Sequence, residues 1–136
     1  MSRLIVISNR VTSPGDKAQA GGLAVALHGA LKAVETALRR GNNLFRYVTP
    51  DDFGEPEAAF NFCTFWFIEA LHLNGRTDEA REIFEEMLNR RTHAGLLSED
   101  ISLGDNELWG NYPQTYSLVG MINCAVLLSR SWTDAR

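Results

Sequence analysis

The sequence is short of cysteine, histidine and long apolar runs, and each shortage narrows what the chain can be. Its two cysteines, Cys63 and Cys124, form no Cys-x-x-Cys pair and no disulfide framework. A small cross-linked scaffold is therefore excluded, and a reduced, cytoplasmic setting is expected. Its three histidines, His28, His72 and His93, stand at no metal-ligand spacing, so no metal is expected, and nothing in the sequence indicates a cofactor. No apolar run approaches the ~18 residues that span a bilayer. The stretch Leu4-Ile5-Val6-Ile7 is too short for a secretory signal, so neither a membrane segment nor a leader is expected. Proline numbers four and glycine eleven, without low-complexity tracts, against 45% hydrophobic and 22% charged residues. That is globular composition, neither collagen-like nor disordered. At 136 residues the chain has one-domain length, enough to bury roughly two-thirds of its unfolded surface.

An overall basic excess is missing too. The net charge is −4, and it is unevenly spread. Residues 1–40 carry six basic and two acidic side chains, while residues 41–136 carry seven basic and fifteen acidic ones. A main body with a net −8 is poorly suited to nucleic acid, whose phosphates need a basic face, so no nucleic-acid partner is expected.

Two segments differ in pattern. Residues 3–8 are apolar and β-branched, the pattern of a strand covered on both faces. A polar loop with Ser13-Pro14-Gly15 follows, then Gly21-Gly22. Beyond it Leu23, Leu27, Leu31, Val34 and Leu38 recur at helical spacing, with Arg39 and Arg40 at the end and Gly41 as the stop. Strand, glycine-bearing loop and helix N-terminus make either a phosphate cradle, to which Arg10 adds a bidentate donor, or an ordinary strand-to-helix turn.

The later segment reads as helices joined by polar loops. Residues 58–73 are aromatic and apolar nearly all round, so that helix is expected to be buried on most sides. After Asn74-Gly75, Thr77 is the expected N-cap of an amphipathic helix that places Ala80, Ile83, Phe84, Met87 and Leu88 on one face. Glu82, Glu85 and Glu86 then face water. A loop over residues 94–112 precedes a last apolar helix with Pro113 in its first turn. The residues 58–91 hairpin has no second copy at a fixed period, which argues against a solenoid. Taken alone, Glu99 is one acidic loop residue among several, and the two cysteines read as inert thiols in apolar helices.

Residue strings add a second level. Ser2-Arg3-Leu4-Ile5-Val6-Ile7-Ser8-Asn9-Arg10-Val11 and Ala20-Gly21-Gly22-Leu23-Ala24-Val25-Ala26-Leu27 resemble the start of trehalose-6-phosphate synthases. The resemblance covers residues 1–33 and implies one β-strand–loop–helix unit of Rossmann-like type. It assigns Arg10 to a sugar phosphate and Gly21 and Gly22 to a nucleotide-sugar site. From residue 34 onward Phe45-Arg46-Tyr47, Asp51-Asp52-Phe53-Gly54-Glu55-Pro56-Glu57, Gly95-Leu96-Leu97-Ser98-Glu99-Asp100 and Leu108-Trp109-Gly110-Asn111-Tyr112-Pro113-Gln114-Thr115-Tyr116-Ser117 resemble the C-terminal part of glycoside hydrolase family 15, the glucoamylases and bacterial trehalases.

The second resemblance implies a mainly α fold over residues 34–136: antiparallel helical hairpins of an (α/α)₆ toroid, whose end loops form a sugar pocket. It implies inverting hydrolysis of an α-glucoside, in which a carboxylic acid and a carboxylate base flank the bond. Glu99 takes the place of the general base and Arg46 that of a substrate contact. Trp109, Asn111 and Gln114 stand as further sugar contacts. The family's general acid lies upstream of the matched region, so a truncated, inactive remnant is expected. Apolar helix faces that further helices would cover are expected to promote self-association. Glucosyl transfer from UDP-glucose to glucose 6-phosphate is the second reading, and a non-catalytic helical interaction fragment is the third.

Overall fold

A computed structural model describes residues 14–129. The expected strand at residues 3–8, Arg10 and the loop as far as Ser13 lie outside these residues, while Pro14, Gly15 and Asp16, expected at the end of that loop, are helical. The first element, α1, runs Pro14–Leu38. Gly21 and Gly22 thus lie along a helix that has already begun, not in a loop ahead of it. The transition between the two resemblances, near residue 33, also falls inside α1.

The helix ends where Gly41 enables a reversal. Gly41 takes φ 59°, the left-handed conformation that a tight hairpin turn demands and that glycine adopts without a Cβ clash. Strands β1 (Arg39–Arg40) and β2 (Asn43–Leu44) pair antiparallel across it. Arg39 is held by two carboxylates, Glu35 on α1 at 2.9 Å and Glu79 at 2.8 Å. Arg76 bridges the same two glutamates, so four charged side chains tie the end of α1 to the start of the helix that carries Glu79. The hydrogen bond from Arg76 is the leading reason that the Glu35 carboxyl is held below its ordinary value.

Residues 58–73, which read as one helix, divide in two. Strand β3 (Ala58–Phe60) leads directly into α2 (Asn61–Leu73). The division follows from a partner far along the chain: β3 pairs antiparallel with β4 (Asp100–Ser102), and β4 pairs with β5 (Leu108–Trp109). This three-stranded sheet was not legible from periodicity, because strands of two or three residues carry too little alternation to register.

Gly75, at φ 82°, turns the chain from α2 into α3 (Thr77–Asn89). Thr77 is the first helical residue, and its hydroxyl lies 3.1 Å from His72 Nδ1 instead of capping the helix; Arg76 occupies the cap position. The expected apolar face holds, with Ala80, Ile83, Phe84 and Met87 buried. Glu82 and Glu85 are exposed, whereas Glu86 is partly buried by a salt bridge to Arg90 and a hydrogen bond from Asn42. The last helix, α4, spans Thr115–Leu128, so Pro113 sits just ahead of it and not in its first turn.

The main core lies between these helices. Phe65, Phe67, Ile68 and Leu71 of α2 meet Ile83, Phe84 and Met87 of α3 and Cys124 and Leu128 of α4. Phe62 contacts Tyr116, and Phe65 packs on Gly120 and accepts the Cys124 thiol's hydrogen bond at its carbonyl. These pairings run in the same order along both helices, so α2 and α4 lie parallel. Burial pushes the Cys124 thiol up to about 12, which keeps it protonated and inert. Helix α1 joins through Leu31, Val34 and Leu38, and Leu27, expected on the buried stripe, is 41% exposed. No helix among the described residues is long and apolar enough to cross a membrane.

Candidate active site

The loop before β4 is fixed from three directions. The buried Asn61, at the start of α2, donates its backbone N–H to the Glu99 carbonyl at 3.0 Å and its side-chain amide to the Ser98 carbonyl at 3.0 Å. Ser117 of α4 donates to the same Ser98 carbonyl at 2.7 Å, and Gln114 N–H reaches the Leu97 carbonyl at 2.9 Å. Leu97 and Ser98 are fully buried. Residues 97–98 therefore act as a rigid base, on which the next two side chains emerge at the surface. Ile101 turns inward to a second small core with Phe45 and Ala59, so strand alternation sends Asp100 to the opposite face.

That face borders a cleft of about 220 Å³ lined by Arg46, Tyr47, Pro56, Glu57, Ala58, Phe60, Glu99 and Asp100. Arg46 reaches it because its neighbour Phe45 is anchored, buried and bonded through its N–H to the Leu38 carbonyl at 3.0 Å. The Arg46 guanidinium stands 5.9 Å from the Phe60 ring centroid, an arrangement that steadies a cation. Tyr47 donates its hydroxyl to Asp51 at 2.5 Å, which raises the phenol above its ordinary value and lowers the carboxyl.

The two adjacent carboxyls differ. Glu99 Oε2 accepts hydrogen bonds from the Asn111 backbone N–H at 3.2 Å and from its side-chain amide at 2.8 Å. Asp100 is pushed from its ordinary 3.8 up to about 6, first by burial and then by the charge of Glu99, with Arg46 opposing. Near pH 5 the cleft thus presents an Asp100 carboxyl that is mostly protonated beside a Glu99 side chain that accepts two hydrogen bonds. Such unlike neighbours are the equipment of general acid–base chemistry.

Of the residues singled out in the sequence, Arg46 and Glu99 meet in this cleft. Asn111 sits behind Glu99 as its donor. Trp109 is half-exposed and pairs with Asp100 in the sheet, but it is not among the lining residues. Gln114 contributes its backbone N–H to the Leu97 carbonyl. Asp100, Tyr47, Glu57 and Phe60 line the cleft without having been singled out. The adjacent acids of Ser98-Glu99-Asp100 were the available signal for Asp100. Nothing local marks Phe60, whose place depends on the long-range pairing of β3 with β4.

No protein-family model matches the chain, and no solved structure does. A trehalase of Thermoplasma volcanium is 38% identical over 104 residues, covering 76% of this chain and 17% of that protein. Most of this chain is trehalase-like. A trehalase of Mycobacterium tuberculosis is 26% identical over 137 aligned residues, covering 98% of this chain and 19% of that protein. A further stretch of 33 residues is 64% identical to a trehalose-6-phosphate synthase of Salmonella arizonae, covering 24% of this chain and 7% of that protein. The composite resemblance thus stands, one long trehalase-like portion and one short synthase-like portion. The chain spans less than a fifth of the length of these relatives.

Proposed function

We propose that the trehalase-like portion carries the base-side half of an inverting α-glucoside hydrolase site, with trehalose as the first substrate to test. The observation that carries this reading is the meeting of Glu99 and Arg46 in one cleft, on a rigid loop and strand, in a chain similar to trehalases. In this reading Glu99 takes a proton from water as that water attacks the anomeric carbon, and Arg46 hydrogen-bonds sugar hydroxyls. Inversion requires a second carboxylic acid on the far side of the bond, roughly 6.5–9.5 Å from the first. By resemblance that acid belongs upstream of the matched region, so this chain alone binds the sugar and does not turn it over.

The test is a chemical-shift titration of the full chain with trehalose. Resonances of Arg46, Tyr47, Glu99 and Asp100 should move together, and Arg46→Ala should abolish the response. A titration that leaves the cleft resonances still overturns the reading. Glucose release, if any is measured, must vanish in Glu99→Gln.

A second reading has its own support in the short synthase-like stretch. It assigns Arg10, Gly21 and Gly22 to glucosyl transfer from UDP-glucose to glucose 6-phosphate. UDP release that requires glucose 6-phosphate and is lost in Arg10→Ala would favour it over the hydrolase reading.

A further inference from the structure

Asn111 stands in the sequence as a sugar contact, yet two of its three N–H donors are already engaged. Its backbone N–H and its side-chain Nδ2 both point at Glu99 Oε2, at 3.2 and 2.8 Å. Its carbonyl in turn accepts the Glu99 N–H at 2.9 Å. Glu99 and Asn111 are therefore joined by three hydrogen bonds. Among the described residues none reaches Glu99 Oε1.

The residue before Asn111 adds a steric half to this arrangement. Gly110 has φ 77°, and a Cβ there would come within 3.0 Å of Glu99 Cβ, 3.1 Å of Glu99 Oε2 and 3.2 Å of Asp100 Oδ2. The backbone thus passes directly beneath both carboxyls, closer than any side chain would permit. This approach is what brings the Asn111 N–H into bonding range.

We propose that Asn111 is a positioning residue for Glu99: its two donors hold one carboxylate oxygen and leave the other to meet the attacking water. The inference rests on reading Glu99 as the base. The chemistry follows from the need of a base for one defined orientation and an unengaged lone pair. Donors on a single oxygen fix the rotamer while sparing the second oxygen. Asn111 accordingly commits its backbone N–H and one of its two side-chain amide hydrogens to Glu99, and governs the geometry of proton transfer through it.

Nuclear magnetic resonance on the full chain tests this without requiring turnover. In the wild type, hydrogen exchange at the Asn111 side-chain amide should be roughly tenfold slower than at the exposed Asn123, as a charge-assisted hydrogen bond implies. Glu99→Ala should erase that difference. Asn111→Leu, which keeps the size and the backbone N–H, should leave the thermal melt in place while the Glu99 side-chain order parameter falls toward that of the exposed Glu85. An Asn111 amide exchanging as fast as that of Asn123 overturns the proposal. So does a Glu99 side chain equally ordered in Asn111→Leu and wild type. If Asn111→Leu does not fold, the wild-type exchange comparison with Glu99→Ala decides. Failure of the hydrolase reading has a separate signature: cleft resonances that stay still in the trehalose titration, with Asn111 exchange still slow.

Discussion

Helices α2 and α4 present two apolar surfaces of opposite fate. On the side where they meet, Phe65 and Cys124 are fully buried, and Gly120 admits the Phe65 ring so closely that a Cβ would lie 2.8 Å from Phe65 Cβ. On their outward side Trp66 of α2 and Tyr116, Val119, Ile122 and Val126 of α4 stand 45–71% exposed, the last four at the three- and four-residue spacing of one helix stripe. Both surfaces are composed like an interior, but only the first is closed. Burial here is decided by which partner is within reach, not by how apolar a helix is. The sequence-based expectation that residues 58–73 would be buried on most sides fails at Trp66 and Leu73 for this reason.

Opening the closed seam should have the largest effect. Phe65→Ala removes a ring that touches α4 and the Phe84 ring, whose centroid is 6.5 Å away. A loss of about 3–5 kcal/mol is expected for such a truncation, of the order of a small domain's whole stability. Circular dichroism should then show helix content without a cooperative melt. A cooperative transition close to the wild-type midpoint would mean that the seam is not where the stability lies.

Gly120→Ala tests the same seam from the other side by overfilling it. The added methyl must displace the Phe65 ring, at a cost of about 1–3 kcal/mol, read as a lower urea midpoint. Combined with Phe65→Leu, the penalty should shrink only in part, because leucine keeps the Cβ and Cγ that the methyl would meet at 2.8 and 3.0 Å and only its branched end can turn aside. Strict additivity of the two changes would argue against direct contact.

How much of this was legible in the sequence follows the same division between local and distant causes. Helices α3 and α4 were visible because ten or more residues repeat their pattern, and the Gly41 and Gly75 turns because positive φ selects glycine. Glu99 and Arg46 were visible through residue strings. The β3–β4–β5 sheet was not, since β3 pairs with residues about 40 further along the chain and each strand is too short to show alternation. With the sheet went the placement of Phe60 and Asp100 and the role of Asn111, which depends on the loop folding back beneath Glu99. Thr77 misled because a residue suited to capping was also the first able to continue a helix.

Between the closed seam and the open face lies the cleft, where partial burial has a pH signature. The Asp100 carboxyl binds its proton more tightly folded than unfolded, at about 6 against 3.8. The sign follows: the native state holds the extra proton between these values, so stability declines as pH rises through that window. The groups acting on Asp100 are Glu99, which strengthens the effect, and Arg46, which weakens it. Asp100→Asn should flatten the stability profile between about pH 4 and 6, a change of about 1 kcal/mol after allowing for solvent screening of this partly exposed group. Glu99→Gln should lower the Asp100 titration midpoint, and Arg46→Gln should raise it. A midpoint unmoved by either change would separate Asp100 from the pair described above.

The smallest effect on stability is expected on the open face, and there the comparison becomes sharpest. Ile122 and Val126 are 58% and 71% exposed, so lysine at either position removes little packing and should shift stability by no more than about 0.5 kcal/mol. The same two substitutions should change association strongly, because an apolar helix stripe in water is attractive to any second apolar surface. Sedimentation velocity over a concentration series should show the wild-type chain self-associating and Ile122→Lys/Val126→Lys remaining monomeric, with superimposable melts. If the double variant melts much earlier, these side chains support the fold and the face is less open than its exposure indicates. If the wild type is already monomeric throughout, the exposed stripe is tolerated alone and the contrast between the two surfaces is one of composition, without consequence for assembly.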